Sequence, residues 1–164
     1  MKLLLTILLV FSIPENDCST FYLIRHAEKV RTNKSDRDPK LNEKGVLRAL
    51  NWKEYFLDKD ITKIYSTNYK RTLETVKPFQ EAIGLATVLY SPSSIDYKDF
   101  ISSNKGEIVL VVGHSNTTGV LAGLLVGEEL GEFDLDIYNR VYQVVIYENR
   151  GRLHLLHTAF DCND

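Results

Sequence analysis

Two apolar runs far apart in the chain each break off at a histidine. Phe21-Tyr22-Leu23-Ile24 runs into Arg25-His26-Ala27-Glu28-Lys29, and Ile108-Val109-Leu110-Val111-Val112 runs into Gly113-His114-Ser115-Asn116. Short apolar runs rich in aromatic and β-branched residues read as buried strands. In open α/β sheets, ligands sit at the carboxyl ends of parallel strands. One strand-end histidine carries little weight. Two of them, with the basic segment Ser66-Thr67-Asn68-Tyr69-Lys70-Arg71-Thr72 between, describe an anion site.

The rest of the chain alternates in the same way. After the first strand, a polar stretch from Val30 to Lys40 ends in the loop signal Asp38-Pro39. Asn42 reads as an N-cap, and Val46, Leu47, Leu50, Trp52, Tyr55 and Phe56 are predicted to form the core face of a helix reaching Leu57. A strand over Ile61–Tyr65 follows, then a helix over Tyr69–Ile83 closed by Gly84. Next come a strand over Ala86–Tyr90, a helix over Ser94–Ser102, the strong strand Ile108–Val112, and a helix over Asn116–Leu125 that ends at Gly127. Beyond a variable segment, 128–139, Val141–Tyr147 and Leu153–Thr158 are predicted to form a hairpin around Asn149-Arg150-Gly151. Strands alternating with helices predict an α/β three-layer sandwich. Its sheet is mostly parallel, with helices on both faces and an antiparallel hairpin at one edge.

The chain has 164 residues, enough for one domain with a sizeable core. A net charge of −2 gives no reason to expect a nucleic-acid partner. Met1-Lys2 followed by Leu3–Ile13, apolar except for Thr6 and Ser12, reads as a secretory leader over residues 1–13. The run is too short for a bilayer, which takes roughly 20 apolar residues. The expectation is therefore one domain over 18–164, exported to a periplasmic or extracellular compartment, with no membrane span. Such a compartment would permit a bridge between Cys18 and Cys162; spacing alone leaves free thiols equally open.

His26 is the first chemical candidate, because a neutral imidazole attacks phosphorus and titrates near neutrality. Arg25 can share its phosphate only if the chain leaves the strand there, since neighbouring strand side chains point to opposite faces. Arg71 opens a helix, where the dipole and free N–H groups favour phosphate and a guanidinium adds bidentate recognition. Thr72 and Thr75 can add hydroxyls, and His114 can stabilise charge on a transferring phosphoryl group. Alone, each has a blander reading: a strand-end histidine on a carbonyl, a solvated basic helix face, a buried histidine. His154 and His157 read as structural or surface residues. No histidine pair has helical metal-ligand spacing, so no metal or cofactor is expected.

Arg25-His26-Ala27-Glu28 resembles the Arg-His-Gly-Glu signature of the histidine phosphatase superfamily, the phosphoglycerate-mutase-like proteins. Asp38-Pro39-Lys40-Leu41-Asn42-Glu43-Lys44-Gly45 with Ala49, Ser66 with Arg71 and Thr75, and Val111–Asn116 are similar to its later segments. The resemblance spans nearly all of the chain after the leader and, given its short length, points to the small phosphohistidine-phosphatase-like branch. It implies that His26 becomes phosphohistidine, that Arg25, Arg71 and His114 complete the phosphate pocket with Asn116 beside the substrate, and that water releases phosphate without a metal. Many members carry an acid after the third strand. Asp96 is the first candidate here, followed by Asp99 and Glu28.

The expected activity is metal-independent hydrolysis of a phosphomonoester or phosphohistidine, on a phosphorylated small molecule or phosphoprotein. Two alternatives stand beside it: a catalytically weak phosphate-ligand binder on the same fold, and a phosphomutase.

Overall fold

The computed structural model describes residues 18–32, 35–130, 136–148 and 150–159. The leader over 1–13 and Cys162 lie outside these residues. The described residues form one six-stranded sheet in the order β3-β2-β4-β1-β5-β6. Its strands are β1 (Ser19–Arg25), β2 (Lys63–Ser66), β3 (Thr87–Leu89), β4 (Ile108–Gly113), β5 (Arg140–Tyr147) and β6 (Arg150–His157). The first four run parallel, and β5 and β6 add an antiparallel edge. The helices are α1 (Glu43–Phe56), α2 (Lys70–Ile83), α3 (Tyr97–Ser102) and α4 (Thr118–Val126). This is the three-layer sandwich expected from the sequence.

Alternation along β1 divides the core in two. Phe21 and Leu23, with Val109 and Val111, pack under Leu121 and Leu125 of α4 and Phe100 of α3. Tyr22 and Ile24, with Leu110 and Val112, pack under Trp52 and Phe56 of α1 and Val76 and Phe79 of α2. Burial on both faces explains why the central strands read as unbroken apolar runs. β1 and β4 are neighbours in register from Thr20↔Ile108 to Arg25↔Gly113. The chain leaves β1 for α1 on one face and β4 for α4 on the other. The strand ends between those diverging exits are the crevice where such sheets bind ligands.

The boundaries differ from expectation at two helices near the site. α3 begins only at Tyr97, because Asp96 takes the N-cap position and accepts from the Lys98 and Asp99 amides at 2.8 and 3.1 Å. α4 begins at Thr118, with Ser115 and Asn116 in the turn before it.

The face of α1 is also rotated from the one predicted. Gly45, Arg48, Ala49, Trp52 and Phe56 are buried, whereas Val46, Leu47 and Leu50 are 51%, 56% and 45% exposed. The cause is the loop after β1, which runs against the first turns of this helix. The Glu28 carbonyl accepts from the Asn42 amide at 3.0 Å, and the Asn42 side chain caps the Gly45 amide at 2.9 Å. A Cβ on Gly45 would stand 2.0 Å from the Glu28 carbonyl oxygen, so the helix meets the loop through a residue without a side chain. Gly45→Ala is expected to destabilise the protein by about 1–3 kcal/mol, the usual range for forced overpacking. Urea denaturation measures it, and a loss below about 0.5 kcal/mol would show that the loop yields freely.

Candidate active site

β1 ends at Arg25, and the His26 amide donates to the Gly113 carbonyl at 2.9 Å, continuing the pairing by one residue. The chain then turns out of the sheet. The Ala27 amide is taken by Thr75 Oγ1 at 2.8 Å, and that hydroxyl donates to the Arg71 carbonyl at 2.6 Å. One threonine therefore ties the histidine loop to the first turn of α2, which carries Arg71. The Thr75 hydroxyl, which the sequence offered as one that could add to the site, is thus used within the fold.

His26 is buried, and its Nδ1 lies 2.7 Å from the Ala27 carbonyl. A carbonyl only accepts, so Nδ1 carries the hydrogen and Nε2 bears the lone pair. Burial, reinforced by Arg25, His114 and Arg71, holds the His26 pKa down to about 3 against the partial offset of the Ala27 bond. The ring is neutral at physiological pH.

His114 stands across from it, with ring centroids 5.5 Å apart. Thr67 Oγ1 donates to Thr72 Oγ1, which donates onward to the Thr67 and Tyr69 carbonyls. With its own hydrogen committed, Thr67 accepts from His114 Nε2 at 3.0 Å, which leaves Nδ1 as acceptor beside an Arg71 terminal nitrogen at 3.4 Å. Burial and the charges of Arg71, Arg25 and Lys29 lower the His114 pKa to about 4. Thr72 is fully occupied within this network, so it too supports the site rather than facing a ligand.

The two guanidiniums are held by stacking. Arg25 lies 4.1 Å over the Tyr138 ring and donates to the Tyr138 hydroxyl and the Ile137 carbonyl at 3.4 and 3.3 Å. Arg71 lies 4.3 Å over Tyr69 and 3.7 Å from Asp38. Its Nε is buried without an acceptor among the described residues. Of the N–H groups at the start of α2, the Lys70 amide donates to Asp38 at 2.9 Å. The recognition there falls to the Arg71 side chain.

Arg25, His26, Arg71, His114 and Asn116 line one cavity of about 580 Å³. A second cavity of about 670 Å³ shares Arg71, His114 and Asn116 and extends toward Tyr90 and Ser91. Asp96 and Asp99 line neither. Asp96, expected as the catalytic acid, is an exposed cap of α3. Glu28 is equally committed, gripped by Arg48 Nε and a terminal nitrogen at 2.7–3.0 Å in a largely buried pair. Among the described residues, no group of three or more His, Cys, Asp or Glu side chains is placed to hold a metal ion. His154 and His157 are exposed on β6.

Sequence reading missed Tyr138, Arg48 and the supporting role of Thr67. Tyr138 touches three basic residues, through its ring to Arg25 and Arg48 and through its hydroxyl to Arg31 at 2.9 Å. It falls in a segment with no periodicity to flag it.

The family model of the histidine phosphatase superfamily (branch 1) matches residues 21–92, from β1 through the segment after β3. No curated protein matches the sequence. Among solved structures, SixA of Agrobacterium tumefaciens is 23% identical, with TM-score 0.60 over 85% of this chain and 98% of that one. The protein histidine phosphatase SixA complexed with tungstate is 16% identical, with TM-score 0.68 over 84% and 96%. A mycobacterial glucosyl-3-phosphoglycerate phosphatase is 12% identical, with TM-score 0.66 over 87% and 100%. Residues 21–92 thus match the histidine phosphatase superfamily, and the chain has the fold of the SixA proteins.

Both histidines are held below the ordinary value of 6.5, so the unfolded chain binds more protons than the folded one between about pH 4 and 6.5. Their contribution to stability is complete above 6.5 and declines as pH falls toward the folded values. Urea unfolding is expected to weaken below pH 6.5 by up to about 1.4 kcal/mol per pH unit from His26, with less from the more exposed His114. His26→Asn should flatten that decline. An unchanged slope would contradict the neutral, buried ring.

Proposed function

We propose that this protein is a phosphatase that passes the phosphoryl group through His26. The observation that carries the proposal is the 2.7 Å contact from His26 Nδ1 to the Ala27 carbonyl, which leaves Nε2 as the nucleophile without prior deprotonation. Arg25 and Arg71 neutralise the phosphoryl oxygens. Their stacking on Tyr138 and Tyr69 fixes them before substrate arrives, so little reorganisation is needed during transfer. Nε2 attacks phosphorus and the bond to the leaving group breaks. Water then attacks the phosphohistidine, and the P–N electron pair returns to Nε2.

Where the leaving group acquires its proton narrows the substrate. Glu28 is held by Arg48 and Asp96 caps α3. Of the two carboxylates that line the His26 cavity, Asp136 is paired with Arg31 and Asp36 accepts from the Asp38 amide, so each of these acids already has a partner. An alkoxide needs such a donor, typically worth about 10²–10⁴-fold. An imidazole or phenolate leaves with less help, which favours phosphohistidine or aryl-type phosphoesters. The structural likeness to a protein histidine phosphatase supports the same choice. A phosphomutase would also need the intermediate to outlast solvent, and both cavities are open. Export, expected from residues 1–13, belongs to this proposal; among the described residues no helix is long and apolar enough to cross a membrane.

An activated aryl phosphate assayed with chelator present tests the mechanism. Turnover is expected, falling on the order of a thousandfold or more in His26→Ala and about 10²–10³-fold in Arg71→Met. Asp96→Asn keeps the cap and should stay within about twofold of wild type. Turnover that survives His26→Ala would exclude the phosphohistidine route. No turnover from the folded protein would favour the binding-module reading.

A further inference from the structure

Three groups of different kinds hold Arg71 at the edge of the His26 cavity. Its guanidinium lies 4.3 Å over the Tyr69 ring, donates to the Arg37 carbonyl at 3.4 Å, and stands 3.7 Å from an Asp38 carboxylate oxygen. The ring and the carbonyl place the guanidinium without adding charge. Asp38 brings a full negative charge, at a distance that is a charge contact and not a close hydrogen bond.

The carboxylate is itself fixed. The same Asp38 oxygen accepts from the Lys70 amide at 2.9 Å, the Asp38 amide donates to Asp36 at 2.9 Å, and Pro39 next to it is buried. A first-turn helix amide beside a guanidinium is a pairing that receives phosphate oxygens well. In this protein a side-chain carboxylate already sits on that pair. Asp38 lines neither cavity, so it acts on the anion site through Arg71. Burial lowers the Arg71 pKa, and Asp38 is the largest charge that opposes this. A guanidinium that shares its charge with a fixed carboxylate attracts a second anion less strongly, because the two anions repel each other.

We propose that Asp38 is a positioning residue whose charge weakens phosphate binding: a built-in anion that shares the Arg71 guanidinium and lets inorganic phosphate leave the site. A pocket that only attracted anions would retain the product after water has attacked the phosphohistidine, and product release limits turnover in many enzymes. For its part in turnover the inference rests on the phosphatase reading. For its effect on phosphate affinity it does not.

Calorimetric titration of the wild-type protein and Asp38→Asn with inorganic phosphate, at low and at high potassium chloride, tests this. Asparagine keeps an oxygen for the Lys70 amide and removes the charge. Phosphate is expected to bind Asp38→Asn about fivefold tighter at low salt, the upper range for a partly exposed ion pair. The gain should shrink at high salt, where exposed charges are screened. Asp38→Ser, a smaller uncharged acceptor, carries the same test if Asp38→Asn does not fold. A merely structural role for Asp38 would loosen the site and lower the affinity. Equal or weaker affinity in the uncharged variant, binding to neither protein, or a gain that salt leaves unchanged would overturn the proposal. Aryl phosphate turnover reports separately, and Asp38→Asn should show lower KM and stronger inhibition by phosphate. Hydrolysis through His26 with unchanged phosphate affinity removes the role of Asp38 and leaves the phosphatase reading standing; a salt-sensitive gain in affinity without hydrolysis does the reverse.

Discussion

The parallel pairing of β1 with β4 brings the chemistry of this protein together. Because Arg25 is paired with Gly113, both strands end at the same level, and His26 and His114 emerge side by side although 87 residues lie between them in the chain. The register is held by side chains on both faces, Phe21 and Leu23 with Val109 and Val111 on one, Tyr22 and Ile24 with Leu110 and Val112 on the other. Slipping by one residue would turn every one of these to the opposite face. The core that stabilises the sheet thus also sets the spacing of the two imidazoles.

Around that pair, the supporting groups act mainly by removing freedom. Thr75 joins the histidine loop to α2, Thr67 and Thr72 orient His114, and the Ala27 carbonyl orients His26. Each is a neutral contact, buried or partly buried, and a buried polar group left unsatisfied costs about 1–3 kcal/mol. The tautomers are consequently fixed by the fold. Charge enters through the guanidiniums, each laid over an aromatic ring, with Asp38 3.7 Å from Arg71.

The fold was legible because the informative segments are local: an apolar run, an abrupt polar end, a capping asparagine, a closing glycine. Arg25, His26, Arg71 and His114 were legible for the same reason. What escaped depends on contacts between distant residues. The buried face of α1 cannot be read from apolar spacing, since Val46, Leu47 and Leu50 fit a helical stripe as well as any, and the choice falls to the Glu28 carbonyl that only Gly45 can approach. Arg48 looks like a surface residue until Glu28 pairs with it. Tyr138 meets Arg25 across 113 positions. Asp96 illustrates the converse: an acid just ahead of a helix serves as a cap whether or not a site lies nearby, and the sequence pattern is the same for both.

Trapping the intermediate tests the central claim most directly. The protein, mixed with an activated aryl phosphate and quenched in alkali within the first turnover, should yield phosphohistidine on the peptide containing His26, with phosphorus on Nε2 because Nδ1 is committed to the Ala27 carbonyl. Phosphorus on Nδ1, on His114, or on no histidine during active turnover would contradict the account.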